Sequence, residues 1–270
     1  CYFPADGSDV YLRGFYPSTG WAVGSNANFY EYTIDGKSDV MSANEVKTNK
    51  AEALAGTYQE LVFNHLLTKL IIKVEAEDEA AEKAWGKITD MYLTQAAGNK
   101  ITPIVRVNMT EPATNAIMYA ADSNDTEGDG RLDSLYCYSI DAAGEATDKV
   151  FAHENGVGTP TSPIAGTPVA LTYAADGDTS FEAPEVAYTL VRPVTAPSKH
   201  YKLVVRTENN LEAYPVDITL NTKDTPATPF TTSTVGYAFE VKLTFSATEI
   251  MAKAKVTEWV EGGVTDITIQ

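Results

Sequence analysis

Tyr237-Ala-Phe-Glu-Val-Lys-Leu-Thr-Phe245 places Tyr237, Phe239, Val241, Leu243 and Phe245 at alternate positions, with Glu240, Lys242 and Thr244 between them. Successive side chains of an extended chain point to opposite faces, so this spacing predicts a half-buried strand with an aromatic core face. Ser246-Ala-Thr-Glu249 follows as a hairpin loop, and Ile250, Ala252, Ala254 and Val256 then alternate with Lys253, Lys255 and Thr257 as the returning strand. Working outward, Tyr201–Arg206, Val216–Leu220 and Tyr188–Val191 read as further strands, with Pro193, Pro197 and Pro215 at their edges. Nearer the N-terminus, Val10–Tyr16 and Phe29–Thr33 are strands. The segment Leu61–Ala76 is read as one long strand, because Val62, Leu66, Leu70, Ile72 and Val74 share one parity. Asp78–Trp85 is the best helix, closed by Gly86, and Ile88–Gln95 returns to strand. Strands at this spacing predict an all-β chain built as a sandwich.

A length of 270 residues favours two domains of ordinary size, and 44% hydrophobic residues suffice to bury a full core. From Glu111 to about Pro168 the composition turns to Ala, Gly, Asp, Asn, Thr and Pro, with short apolar islands at Ile117–Tyr119 and Leu135–Tyr138. The expected boundary therefore falls near 108 to 115, giving domains 1–110 and 111–270, without a repeat between them.

Twenty basic against 37 acidic residues give a net charge of −17. Nucleic acid binding rests on Lys and Arg neutralising phosphates, and the nearest thing to a basic stripe is Lys69 and Lys73, so nucleic acid is not expected as a partner. Anionic membrane surfaces are disfavoured for the same reason. The longest apolar run, Leu66–Val74, is interrupted by Thr68, Lys69 and Lys73, so no transmembrane span is expected.

His65, His153 and His200 are scattered without ligand spacing, and His65 is expected to have a structural role. Nucleophile elbows, phosphate loops and dinucleotide loops are absent from the sequence. A carboxylate pair at hydrolase spacing would be invisible among so many acids, which a solvated surface explains better. Asp125–Asp133 places oxygen ligands at calcium-loop positions 1, 3, 5 and 9 with Gly130 at 6, but position 12 is Tyr136 where a bidentate glutamate belongs. An acidic turn is the preferred reading. Cys1 and Cys137 form neither a disulfide framework nor a zinc motif. Cys1 is read as following a missing N-terminal segment, with lipid attachment as the alternative. The sequons at Asn108 and Asn124 carry no weight in a Thr-rich chain. No catalytic, cofactor-binding or metal residue is assigned, and no enzyme is expected.

In order along the chain, Tyr2-Phe3-Pro4, Val10–Pro17, Ser38–Ala43 and Leu61–Leu70, then Leu190–Pro193, Tyr237–Phe245 and Ala252–Gly262, resemble the fimbrillin family of Bacteroidales. The resemblance implies two transthyretin-like β-sandwich domains, export as a lipoprotein precursor, and assembly into fimbriae at the outer surface, with other fimbrial subunits as partners. It implies assembly by strand exchange, in which a protease removes the first strand and a partner's strand fills the groove. By the family pattern Tyr2-Phe3-Pro4 lies inside the first domain, so its earlier strands are expected to be absent from this chain, and Arg13 is not the processing residue. Ala252–Val256 and Val264–Gln270 are the candidate donor segments. The alternative function is a tip adhesin or surface lipoprotein that binds a host protein or glycan through loops 111 to 168, with Tyr119, Tyr136 and Tyr138 as an aromatic platform.

Overall fold

A computed structural model describes residues 3–24, 27–57, 59–94, 104–110, 117–120, 134–140, 146–149, 168–194, 201–212, 214–224, 227–229 and 233–257. Among them are 21 strands in five sheets and two short helices, so the chain is built mostly of β-structure as its alternation predicts.

The largest sheet has eight strands. In spatial order they are Ala146–Lys149, Tyr138–Ile140, Glu185–Val191, Thr68–Ala76, Ala238–Phe245, Ile250–Thr257, Leu220–Asp224 and Ala227–Pro229. Its centre is the pair the sequence marks most strongly. Thr68–Ala76 buries every second residue, and Ala238–Phe245 does so from Phe239 on. The two run parallel with Leu70 beside Phe239, Ile72 beside Val241, Val74 beside Leu243 and Ala76 beside Phe245, so both apolar rows meet on one face. A one-residue slip would turn one row to solvent, so burial fixes this register.

The opposite face carries a ladder of charges. Lys73 Nζ lies 2.9 Å from Glu240 Oε2, Lys255 Nζ lies 3.2 Å from Glu240 Oε1, and Lys242 Nζ lies 2.8 Å from Glu75 Oε1. Burial opposes ionisation of Glu240, but the ammonium groups of Lys73 and Lys255 outweigh it and hold the carboxyl below its ordinary value. A carboxyl depressed in the folded state contributes stability that is complete above its unfolded pKa of about 4.3 and is lost as pH falls through the folded value. The wild type should therefore exceed Glu240→Gln in urea midpoint at about pH 7, with the gap closing by about pH 3. A gap of the same size at both pH values would remove the ladder from the account.

A four-stranded sheet runs in the order Ser134–Tyr136, Ile88–Thr94, Tyr201–Thr207 and Tyr214–Ile218. Pro215 lies in its edge strand, where a missing amide costs no ladder bond. The second four-stranded sheet orders Ile117–Ala120, Ile104–Asn108, Phe29–Thr33 and Trp21–Val23. A three-stranded sheet holds Phe15–Tyr16, Met41–Ala43 and Phe63–His65, and Val10–Leu12 pairs with Val46–Thr48. Leu70 and Val241 from the largest sheet, Leu93 and Leu203 from the first four-stranded sheet, and Tyr32 and Val105 from the second join one buried cluster.

Helix Glu79–Trp85 forms as expected. Asp78 caps it by accepting the Ala81 amide at 2.7 Å, and Gly86 closes it at φ +70°. Trp85 anchors the helix by donating from Nε1 to the Ser246 carbonyl at 2.6 Å. A second helix, Lys50–Leu54, was not foreseen, although Asn49 caps it by accepting the Glu52 amide.

Three strands read as continuous are divided, the first being Val10–Tyr16, whose Val10–Leu12 pairs with Val46–Thr48 while Phe15–Tyr16 belongs to the three-stranded sheet, with the chain passing between them at Arg13 and Gly14. The expected strand Leu61–Ala76 breaks between His65 and Thr68 and serves two sheets, with Leu66 and Leu67 both buried at the break. Leu66 donates to the Val40 carbonyl and Leu67 accepts from Gly236, so neither residue belongs to a ladder and the parity slips there. Val216–Leu220 is divided likewise, with Tyr214–Ile218 in the first four-stranded sheet and Leu220–Asp224 in the largest. The stretch 108 to 115, where composition suggests a boundary, lies between Ile104–Asn108 and Ile117–Ala120, which pair with each other. Strands from both sides of residue 110 share the largest sheet and the first four-stranded sheet.

Candidate functional site

The three-stranded sheet has a face that folding leaves uncovered. In a strand pair one face carries every second residue, and here Gly14, Ala43 and Phe63 meet on one side: a Cβ on Gly14 would collide with Phe63 Cζ and stand 3.2 Å from Ala43 Cβ. Gly14 therefore makes room for the Phe63 ring to lie across the neighbouring strand. Phe63 is still 43% exposed, and Tyr16 on the far strand is 49% exposed. Among the described residues, the outer strands Phe15–Tyr16 and Phe63–His65 each pair on one side only. Apolar side chains on the outer strand of a sheet form the surface that an added strand recognises.

The back of this surface is firmly held. Phe15 lies 4.9 Å from Trp21 and 5.1 Å from Tyr30 between ring centroids, and Trp21 stacks on Tyr30 at 5.5 Å, so an aromatic cluster joins the three-stranded sheet to the second four-stranded one. Arg13, whose side chain is 8% exposed, donates from Nε to Glu45 Oε2 at 2.8 Å and from Nη1 to the Asn108 carbonyl. Its guanidinium is a clamp between the first strands and the end of Ile104–Asn108. His65 Nδ1 lies 2.7 Å from Asp39 Oδ2.

The other residues singled out in the sequence do not come together. Tyr119 donates to the Leu66 carbonyl at 2.5 Å, and buried Tyr138 donates to the Asp35 carbonyl at 2.9 Å. Both phenols are thus engaged inside the protein and cannot serve as an exposed platform, and nothing is described of the Tyr136 side chain. Cys137 is fully buried, and burial pushes its thiol up, away from reactive thiolate. The calcium-loop pattern Asp125–Asp133 lies outside the described residues. Among the described residues, no group of three or more His, Cys, Asp and Glu could hold a metal ion, and no helix is long and apolar enough to cross a membrane.

The two candidate donor segments fare differently. Ala252–Val256 lies in Ile250–Thr257, which pairs antiparallel with Ala238–Phe245 and, at Ala254 and Lys255, parallel with Leu220 and Asn221. It is an interior strand of its own sheet and not a free end, because Ile250 and Ala254 are buried in the common core. Val264–Gln270 lies outside the described residues.

No family model matches the chain, and no curated protein matches it. Among solved structures the chain is similar to a candidate cell adhesion protein of Bacteroides uniformis, at 16% identity and TM-score 0.49, covering 96% of this chain and 77% of that one. It is similar to a candidate cell adhesion protein of Bacteroides ovatus at 16% identity and TM-score 0.43, covering 94% and 69%. It is also similar to a fimbrial protein of Bacteroides vulgatus at 14% identity and TM-score 0.43, covering 96% of this chain and 80% of that one.

Proposed function

We propose that this chain is a structural subunit of a bacterial cell-surface fimbria that assembles by donor-strand exchange and takes part in adhesion. The observation that carries this reading is the three-stranded sheet, whose outer face exposes Phe63 and Tyr16 on strands that, among the described residues, lie at its two sides. Two sheet layers of the transthyretin-like kind belong to the same reading, supported by the single buried cluster that the largest sheet and the first four-stranded sheet share. A lipoprotein precursor and an outer-membrane location are its remaining parts and rest on the resemblance in sequence.

With Ala252–Val256 held inside its own sheet, the donor in this reading is Val264–Gln270, whose Val264, Asp266 and Thr268 alternate with Thr265, Ile267 and Ile269. Deleting Val264–Gln270 should abolish polymers while the monomer keeps its wild-type urea midpoint. Polymers from the shortened chain would remove this segment as donor. In the alternative reading, a tip adhesin or surface lipoprotein binding a host protein or glycan through its loops, the same deletion leaves ligand binding intact and the full chain is monomeric.

A further inference from the structure

Strand Glu185–Val191 is paired on its inner side from Val191 beside Thr68 to Ala187 beside Ile72 and, past a bulge at Val186, at Glu185 beside Lys73. On its outer side it is paired with Tyr138–Ile140 only at Tyr188 and Ala187. The outer strand stops there because the chain changes sheet at Cys137, and Ser134–Tyr136 runs in the first four-stranded sheet instead. Amides of alternate residues point to the same side of a strand, so the Leu190 amide faces outward as the Tyr188 amide does. It faces the place where Tyr136 would stand had the strand continued.

That amide does not face solvent. It donates to the Gly36 carbonyl at 2.8 Å, from the turn that connects Phe29–Thr33 to Met41–Ala43. The phenols of Tyr138 and Tyr188 hold the carbonyls on either side, Asp35 at 2.9 Å and Lys37 at 3.3 Å. Three consecutive carbonyls of one turn are thus bound by donors of two neighbouring strands. The turn is shaped for this: Asp35 Oδ1 accepts the Lys37 amide at 2.8 Å and the Ser38 amide at 2.7 Å, Gly36 takes φ +80°, and buried Ile34 and Val40 flank it in the core.

We propose that the Asp35–Ser38 turn is an edge cover: it closes the outer edge of Glu185–Val191 where Tyr138–Ile140 leaves it, and so prevents a second copy of this chain from adding a strand there. An open amide on a long buried-sheet strand is a template for pairing with another chain, and covering it with a loop is a recognised remedy. The proposal stands apart from the fimbrial reading, because a protein of any function needs this edge closed.

The test is hydrogen exchange and light scattering on two variants of the full chain, Asp35→Ala and the double variant Tyr138→Phe/Tyr188→Phe. In both, exchange of the Leu190 amide should rise about tenfold while the Leu70 and Leu243 amides keep wild-type protection. At matched concentration the mass in solution should rise above that of the wild type. Unchanged Leu190 exchange in both variants overturns the proposal, as does faster exchange with wild-type mass. If one variant loses protection at Leu70 and Leu243 as well, it has unfolded globally and the other decides.

Discussion

Phe239→Ala should cost about 4 kcal/mol and lower the urea midpoint by more than 1 M, roughly the full transfer and cavity cost of a buried aromatic ring. Phe239 is 0% exposed and lies at the meeting point of the two long strands, beside Leu70 on one side and Val256 on the other. The parallel pair cannot collapse onto the space a lost ring would leave, because its backbone is pinned from Ala238 beside Lys69 to Phe245 beside Ala76. Domains of this kind have a total stability of about 5–15 kcal/mol, so the loss takes a large share of it. Equilibrium urea unfolding checks the value, and a cost under about 1 kcal/mol would mean that the ring is not in the core.

Asp90→Ala should cost about 4 kcal/mol, more than a surface charge can. Arg206 lies opposite Asp90 in the first four-stranded sheet and donates from Nη1 to Asp90 Oδ2 at 2.5 Å, with the two side chains 10% and 9% exposed. Beside them the Tyr92 hydroxyl is raised above its ordinary pKa by burial, which marks the surroundings as poorly hydrated. Removing the carboxylate strands a guanidinium that cannot shed its proton, so most of the cost is the unpaired charge and not the lost bond. The double variant Asp90→Leu/Arg206→Met should therefore recover most of the loss. A single variant as stable as the wild type, or a double variant worse than Asp90→Ala, would contradict this account.

Sequence exposed the strands whose one face meets the core and whose other face meets water. In Ala238–Phe245 and Thr68–Ala76 the apolar alternation maps directly onto burial, and the Asp78 cap and Gly86 stop delimit the helix. What it could not show is partnership. Thr68–Ala76 and Ala238–Phe245 are each legible as strands, but their parallel pairing joins residues far apart in the chain, and nothing local encodes it. The sheet changes at Cys137 and Thr219 are equally silent, since a strand that crosses from one sheet to another keeps its residue types. A change of composition marks residues 108 to 115 as a boundary, whereas pairing depends on the strands flanking that stretch.

The candidate site was partly legible. Phe63 lies inside the expected strand Leu61–Ala76 at the parity opposite to Val62 and Leu66, and nothing in that spacing marks it as part of a site. Its exposure follows from the break at Leu66 and Leu67, which both turn inward. Arg13 was noted only as a residue not to be read as a processing site, and its pairing with Glu45 across the first strands has no local signature. Asp90 and Arg206 lie in the expected strands Ile88–Gln95 and Tyr201–Arg206, and only cross-strand register brings them together.

The claim that this chain polymerises by strand exchange is tested most directly on protein taken from its native cell surface, run unheated on a denaturing gel and viewed by negative-stain microscopy. Strand exchange predicts a ladder of detergent-resistant oligomers that collapses to one band on boiling, together with thin filaments. A single monomer band without filaments would contradict it.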